Sequence, residues 1–151
     1  MTSVKEQLQS DLTVNLKAHN ELETTVLRSV LGAVQYKEKA GKSAADFDDA
    51  QVLVVLAAEL KKRRDTAAEW TRVNVLDRAE RETAEADFLA QYLPVPLTND
   101  EVEELVTVAL AAFEAPTMKD FGAVMKSVVA AADGRADGKL VSELVRAKLS
   151  A

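Results

Sequence analysis

Apolar residues in this chain return every three to four positions along nearly its whole length, and the rhythm breaks decisively at one place, "YLPVPLTNDE", Tyr92 to Glu101. A repeat near 3.6 residues is the mark of helices that each bury one stripe. Pro94 and Pro96 cannot continue a helix, and each pushes its predecessor toward an extended backbone. The pattern therefore predicts an all-α protein. A helical N-terminal bundle, residues 1–93, is joined by a proline hinge to a small three-helix C-terminal domain, residues 97–151.

Local signals divide the bundle into four helices. Ser3 and Glu6 stand at capping-box spacing before Leu8, Leu12 and Leu16. Asn20 is a candidate N-cap for a second helix carrying Val26, Val30, Ala33 and Val34, with Gly41 suited to the C′ position. Asp46 is expected to cap a third helix with the stripe Val52, Leu53, Leu56 and Leu60, continuing to Trp70. Asn74 is expected to cap a fourth helix, with Val75 as a staple and Ala79, Ala86, Leu89 and Leu93 inward, running to about Tyr92. Beyond the prolines, Thr98 and Glu101 form a second capping box, and Pro116 is expected to end that fifth helix. Thr117 can cap a sixth, carrying Phe121, Val124, Met125, Val128 and Val129, and Leu140, Val141, Leu144, Val145 and Leu149 make the seventh.

Composition removes several chemistries. There is no cysteine and one histidine, His19, so thiol catalysis, disulfides and His- or Cys-based zinc sites are excluded. His19 has no serine or carboxylate placed to form a relay. No catalytic residue, cofactor or metal ligand set is predicted. No apolar run reaches membrane-spanning length, so a cytoplasmic protein without membrane contact is expected. The charge is uneven. Residues 1–116 hold 13 Lys/Arg against 21 Asp/Glu, whereas residues 117–151 hold 6 against 4. A polyanion would prefer the last quarter of the chain.

That quarter contains "AAADGRADGKLVSELV", Ala130 to Val145. It is not a Walker loop, because only three residues separate Gly134 from Gly138, and Leu140 stands where Ser or Thr is required. Nor is it a calcium loop: Arg135 and Leu144 fall on ligand positions three and twelve when Asp133 is position one. It fits a helix–turn–helix junction, with Gly134 left-handed and Asp137 capping the last helix. Arg135 and Lys139 then flank a helix N-terminus, a setting suited to phosphate. The alternative is that they pair with Asp133, Asp137 or Glu143 on the surface.

Other charged stretches have plain readings. "KKRR", residues 61–64, is a basic run that could meet an acidic partner, or a solvated face with Glu59–Arg63 and Lys61–Asp65 pairs. Arg28, within an apolar stretch, is expected to snorkel or to meet a carboxylate of another helix. Glu80, Glu82, Glu85 and Asp87 alternate with Arg78 and Arg81, which argues against a metal cage. Trp70 fits packing better than base stacking.

"YLPVPLTNDEVEELV" and "FGAVMKSVVAAADGRADGKLVSELVRAKL", with "LRSVLGAVQYKE" and "ELKKRRDTAAEW", resemble the GatB/YqeY family over nearly the whole chain. The similarity is to a stand-alone YqeY-like protein and to the C-terminal tail of the tRNA-dependent amidotransferase B subunit. Phe121 and Ala123 depart from the methionine and lysine that members often carry. The resemblance implies two all-helical domains and a non-catalytic module for tRNA or a tRNA-linked protein complex. Lys119, Lys126, Arg135 and Lys139 would contact RNA phosphates. The B subunit's kinase-like catalytic domain has no counterpart in these 151 residues. Two other readings are an adaptor that binds protein and no RNA, and an accessory part of a carbon–nitrogen ligase using glutamine as amido donor. No motif specifies an oligomeric state.

Overall fold

The structure is a computed structural model that describes residues 2–41 and 45–151. Among these it contains seven α-helices, one 3-10 turn and no strand. The chain divides into two compact units, Met1–Leu93 and Pro94–Ala151.

The first unit holds α1 (Val4–Lys17), α2 (Glu21–Ala40), α3 (Asp49–Arg72) and α4 (Leu76–Ala90). The Ser3–Glu6 capping box forms: Glu6 N–H donates to Ser3 Oγ at 3.1 Å, and Ser3 N–H donates to the Glu6 carboxylate at 2.9 Å. Two expected caps are displaced. The N-cap of α3 is Asp48, which forms a capping box with Gln51, whereas Asp46 lies 3.5 Å from Lys5 Nζ. Val75 occupies the N-cap of α4 without a side-chain bond, and Asn74 is instead a left-handed residue (φ 60°) that closes α3. Helix α4 ends at Ala90, two residues short of expectation, because Tyr92 and Leu93 turn back with i→i+3 bonds to Leu89 and Ala90. Gly41 ends α2 with φ −70° and ψ 155°, extended rather than left-handed, so no Schellman geometry forms there.

The core gathers Leu8 from α1, Val26, Leu27, Val30 and Val34 from α2, Val52, Val55 and Leu56 from α3, and Leu89 from α4. Each is worth roughly 1.5–3 kcal/mol relative to exposure. The stripe of α1 fades outward: Leu8 is buried, Leu12 half-buried and Leu16 exposed.

Polar ties lock this apolar packing in register. Arg63 belongs to the basic run, yet it is buried. Its Nη1 donates to Glu59 Oε2 at 2.8 Å, its Nη2 donates to Ser29 Oγ of α2 at 3.2 Å, and its Nε faces Glu85 Oε2 of α4 at 3.5 Å. Three helices therefore meet at one guanidinium. The other expected pair of the run, Lys61–Asp65, forms on the surface at 3.1 Å. Glu38, also buried, accepts from Lys5 Nζ at 2.8 Å and from the Phe47 amide at 2.9 Å. The bond from Lys5, reinforced by the amide, holds the Glu38 carboxyl below its ordinary pKa; the same bond raises Lys5. Tyr92 donates its hydroxyl to Asp11; burial first, then this bond, raises the phenol's pKa.

The second unit holds α5 (Asn99–Leu110), a 3-10 turn at Met118–Asp120, α6 (Phe121–Ala132) and α7 (Gly138–Leu149). The Thr98–Glu101 capping box starts α5. That helix stops at Leu110, well before Pro116, where Ala112 and Phe113 make tight i→i+3 bonds. Thr117 caps the 3-10 turn rather than α6 directly. Val102, Val106 and Ala109 of α5, Val124 and Val128 of α6, and Val141 and Val145 of α7 form a separate core. No described helix is long and apolar enough to cross a membrane.

Two outcomes follow from the ties. Arg63→Ala leaves Glu59 without its cation and Glu85 with Arg81 alone, and should cost about 3 kcal/mol of unfolding free energy in urea melts; adding Glu59→Leu should recover part of it. Glu38 has a folded pKa below its unfolded value, so its contribution is present above about pH 4.3 and is lost as pH falls through the folded value. Glu38→Gln should therefore flatten the acid limb of a stability–pH profile, leaving the alkaline limb less affected.

Candidate functional site

The GRADGK turn is built by its backbone. Asp133 ends α6 in the left-handed region (φ 48°), and Gly134 follows at φ 76°, where an added Cβ would be strained. Two consecutive positive φ values reverse the chain within a few residues. Asp137 then caps α7, accepting from the Lys139 amide at 3.2 Å. The remaining early amides of α7 have no partner inside the helix, as at any helix start.

Arg135 connects this turn to the proline segment. Its carbonyl accepts from the Leu97 amide at 2.7 Å, and its Nε donates to the Val95 carbonyl at 2.8 Å. The guanidinium is thus oriented by one N–H, and its two terminal amino groups make no hydrogen bond among the described residues. Arg135 and Lys139 are both exposed. Neither makes an ion pair within 4.0 Å with Asp133, Asp137 or Glu143 among the described residues; every such ion pair lies in the first unit.

The structure separates the four cations expected to act together. Lys119 sits in the 3-10 turn before α6, and Lys126 lies exposed within α6. The C-terminal turns of α7 lie beside the start of α6: the Arg146 guanidinium stands over the Phe121 ring at 5.2 Å, and Ser150 Oγ is 3.9 Å from Met118 Sδ. Lys119 is therefore roughly 18 Å from the GRADGK turn, the length of a twelve-residue helix. Arg135 and Lys139 form one end of the helical hairpin, and Lys119 belongs with Arg146 at the other. Sequence reasoning passed over Arg146; its i→i+25 relation to Phe121 has no periodic signature.

All six lysines and arginines of the second unit lie on the 3-10 turn, α6, the GRADGK turn and α7, whereas α5 carries Asp100, Glu101, Glu103 and Glu104. The cations are thus confined to these elements, which also carry Asp120, Asp133, Asp137 and Glu143. Such a surface can hold phosphates by position without reading bases. Among the described residues no group of three or more His, Cys, Asp or Glu is arranged to hold a metal ion.

The model of the family described as Yqey-like protein matches residues 5–149. The chain belongs to that family. This Yqey-like chain is also 30% identical over 128 residues to "Altered inheritance of mitochondria protein 41, mitochondrial" of Clavispora lusitaniae, covering 80% of this chain and 74% of that protein. An uncharacterized protein of Schizosaccharomyces pombe is 27% identical over 92 residues, covering 61% of this chain and 73% of the relative. The family match spans both units, so the GRADGK turn and the helical bundle belong to one family pattern.

Arg135→Ala removes one exposed bond to a carbonyl while the Leu97–Arg135 main-chain bond persists. It should cost only about 0.5–1 kcal/mol in thermal or urea unfolding. Gly134→Ala, forced to a positive φ, should cost about 1 kcal/mol. A loss above about 3 kcal/mol for Arg135→Ala would contradict the view that its outer amino groups are unengaged.

Proposed function

We propose that this Yqey-like chain is a non-catalytic module that binds tRNA or a tRNA-linked complex through the α6–α7 hairpin of its second unit. The observation that carries the reading is the set of exposed cations without intramolecular ion pairs, with Arg135 pre-oriented by Val95 beside the N-terminus of α7. A guanidinium with its Nε occupied still offers two donors to a phosphate, and Lys139 with the helix amides offers more. Lys119 and Lys126 extend the contact along the hairpin, so the bound strand runs over its length rather than into one pocket. The amidotransferase kinship implied by the GRADGK pattern makes tRNA the polyanion of choice, and the setting is proposed to be cytoplasmic.

A second reading, a protein adaptor without RNA, is favoured by the exposed apolar residues Val73, Val75 and Leu76 at the α3–α4 turn. Partners of an adaptor survive nuclease treatment in a pull-down, whereas RNA-bridged ones are lost. An accessory role in glutamine-dependent amide transfer predicts that adding the chain changes the rate on misacylated tRNA.

The double change Arg135→Ala, Lys139→Ala should weaken tRNA retention in low-salt filter binding and flatten the slope of log K against log salt by about 1.5. Retention and slope equal to wild type would remove the assignment. Lys119→Ala alone should give about half that change in slope.

A further inference from the structure

A second surface lies in the first unit. Helices α1 and α2, with Ala45 and Asp46 before α3, line a groove of about 560 Å³ that includes Leu12, Arg28, Leu31, Gly32, Gln35 and Lys39. Leu12 and Leu31 are half-buried against the core, so the floor is apolar and fixed. Arg28 and Lys39 are exposed, and neither side chain makes a hydrogen bond or ion pair among the described residues. Arg28 therefore meets no carboxylate of another helix among the described residues. The two acidic groups on this groove, Glu38 and Asp46, are both engaged by Lys5. Its unanswered charge is positive.

Gly32 stands between these cations in the middle of α2, and an added Cβ would meet nothing within 4 Å. Glycine weakens a helix interior, and no described residue approaches closely enough to require it here. A bare backbone at the floor of a groove permits close approach by another backbone. Arg28, Gly32, Gln35 and Lys39 follow the i, i+4, i+7, i+11 line of one helical face, so the cations are about 16 Å apart. That span matches about three turns of a second helix, and no compact anion reaches both.

We propose that the α1–α2 groove docks an acidic amphipathic helix of a protein partner, apolar residues against Leu12, Leu31 and Gly32, carboxylates against Arg28 and Lys39. This does not rest on RNA binding by the second unit, and either can fail alone.

The test uses the full chain and a labelled designed helical peptide of about 18 residues, with Leu and Ala on one face and Glu flanking it at a spacing matching Arg28 to Lys39. Its control carries Lys in place of Glu. Anisotropy should show binding of the acidic peptide and not of the control. The pair Arg28→Glu, Lys39→Glu should invert that preference. Gly32→Leu should raise Tm by about 3 °C, since leucine favours helix and the space is open, while weakening the acidic peptide at least about tenfold. Equal or absent binding of the two peptides, or unchanged affinity in Gly32→Leu, overturns the proposal. Competition by millimolar pyrophosphate that abolishes peptide binding would make the groove a compact-anion site and overturn it too. So would a dimer in sedimentation that the charge-reversed pair dissolves, which would make a second copy the occupant.

Discussion

Prolines force the chain around Pro94–Pro96 to run extended, and an extended strand presents amides and carbonyls that no helix answers. In the second unit Arg135 answers two of them at once, through its own carbonyl to the Leu97 amide and through Nε to the Val95 carbonyl. The consequences spread outward. The turn between α6 and α7 is anchored to the start of the unit rather than only to its own helices. The guanidinium makes no ion pair with Asp133 or Asp137, and its remaining donors have no partner among the described residues. A residue that looks like a surface cation in sequence is in fact a main-chain clamp whose charge is left over for a partner.

The first unit is organised by a different economy of polar groups. Its core is made largely of valine and leucine, whose packing is tolerant of small slides between helices. Arg63 and Glu38 restrict those slides, because each can be satisfied only in one arrangement of the surrounding helices. Arg63 reaches Ser29, Glu59 and Glu85 on three helices; Glu38 joins the start of α1 to the segment before α3. The cost of burying these charges is offset by the bonds they make, and their contribution is better described as specifying register than as adding stability. The same arrangement leaves Arg28 and Lys39 unpaired, since the carboxylates that might have met them are already engaged.

Much of the fold was legible from local chemistry. The capping boxes at Ser3 and Thr98 formed as read, because a side chain and an amide three residues apart decide them. The apolar stripes predicted most core residues of α2, α3, α6 and α7, for burial repeats with the helix turn, but Val129 is exposed and the buried Leu27 and Val55 were passed over. Asp46 does not cap α3: Asp48 has Gln51 three residues on and forms the box, whereas Asp46 has Asp49 there and its carboxylate lies 3.5 Å from Lys5 Nζ. Asparagine suits an N-cap, but it equally suits a left-handed residue, and Asn74 takes that conformation where its own amide and that of Val75 bond back to Thr71 and Trp70 at the end of α3. The end of α5 was misplaced because a proline marks where a helix must have stopped, not where it does.

What the amino-acid order determined alone is the helical class, the break at the prolines, most caps and the identity of the cations available to a polyanion, since all of these depend on neighbours within a few residues. Only the tertiary structure decided which cations are spent and which are free. It buried Arg63 among carboxylates, gave Arg146 to the Phe121 ring, turned Arg135 into a clamp and set Lys119 a helix length away. The reason is that a charge responds to whatever lies within a few ångströms of it, and for Arg63, Arg135 and Arg146 part of that surrounding comes from distant chain: Ser29 and Glu85, the Val95 carbonyl and the Phe121 ring.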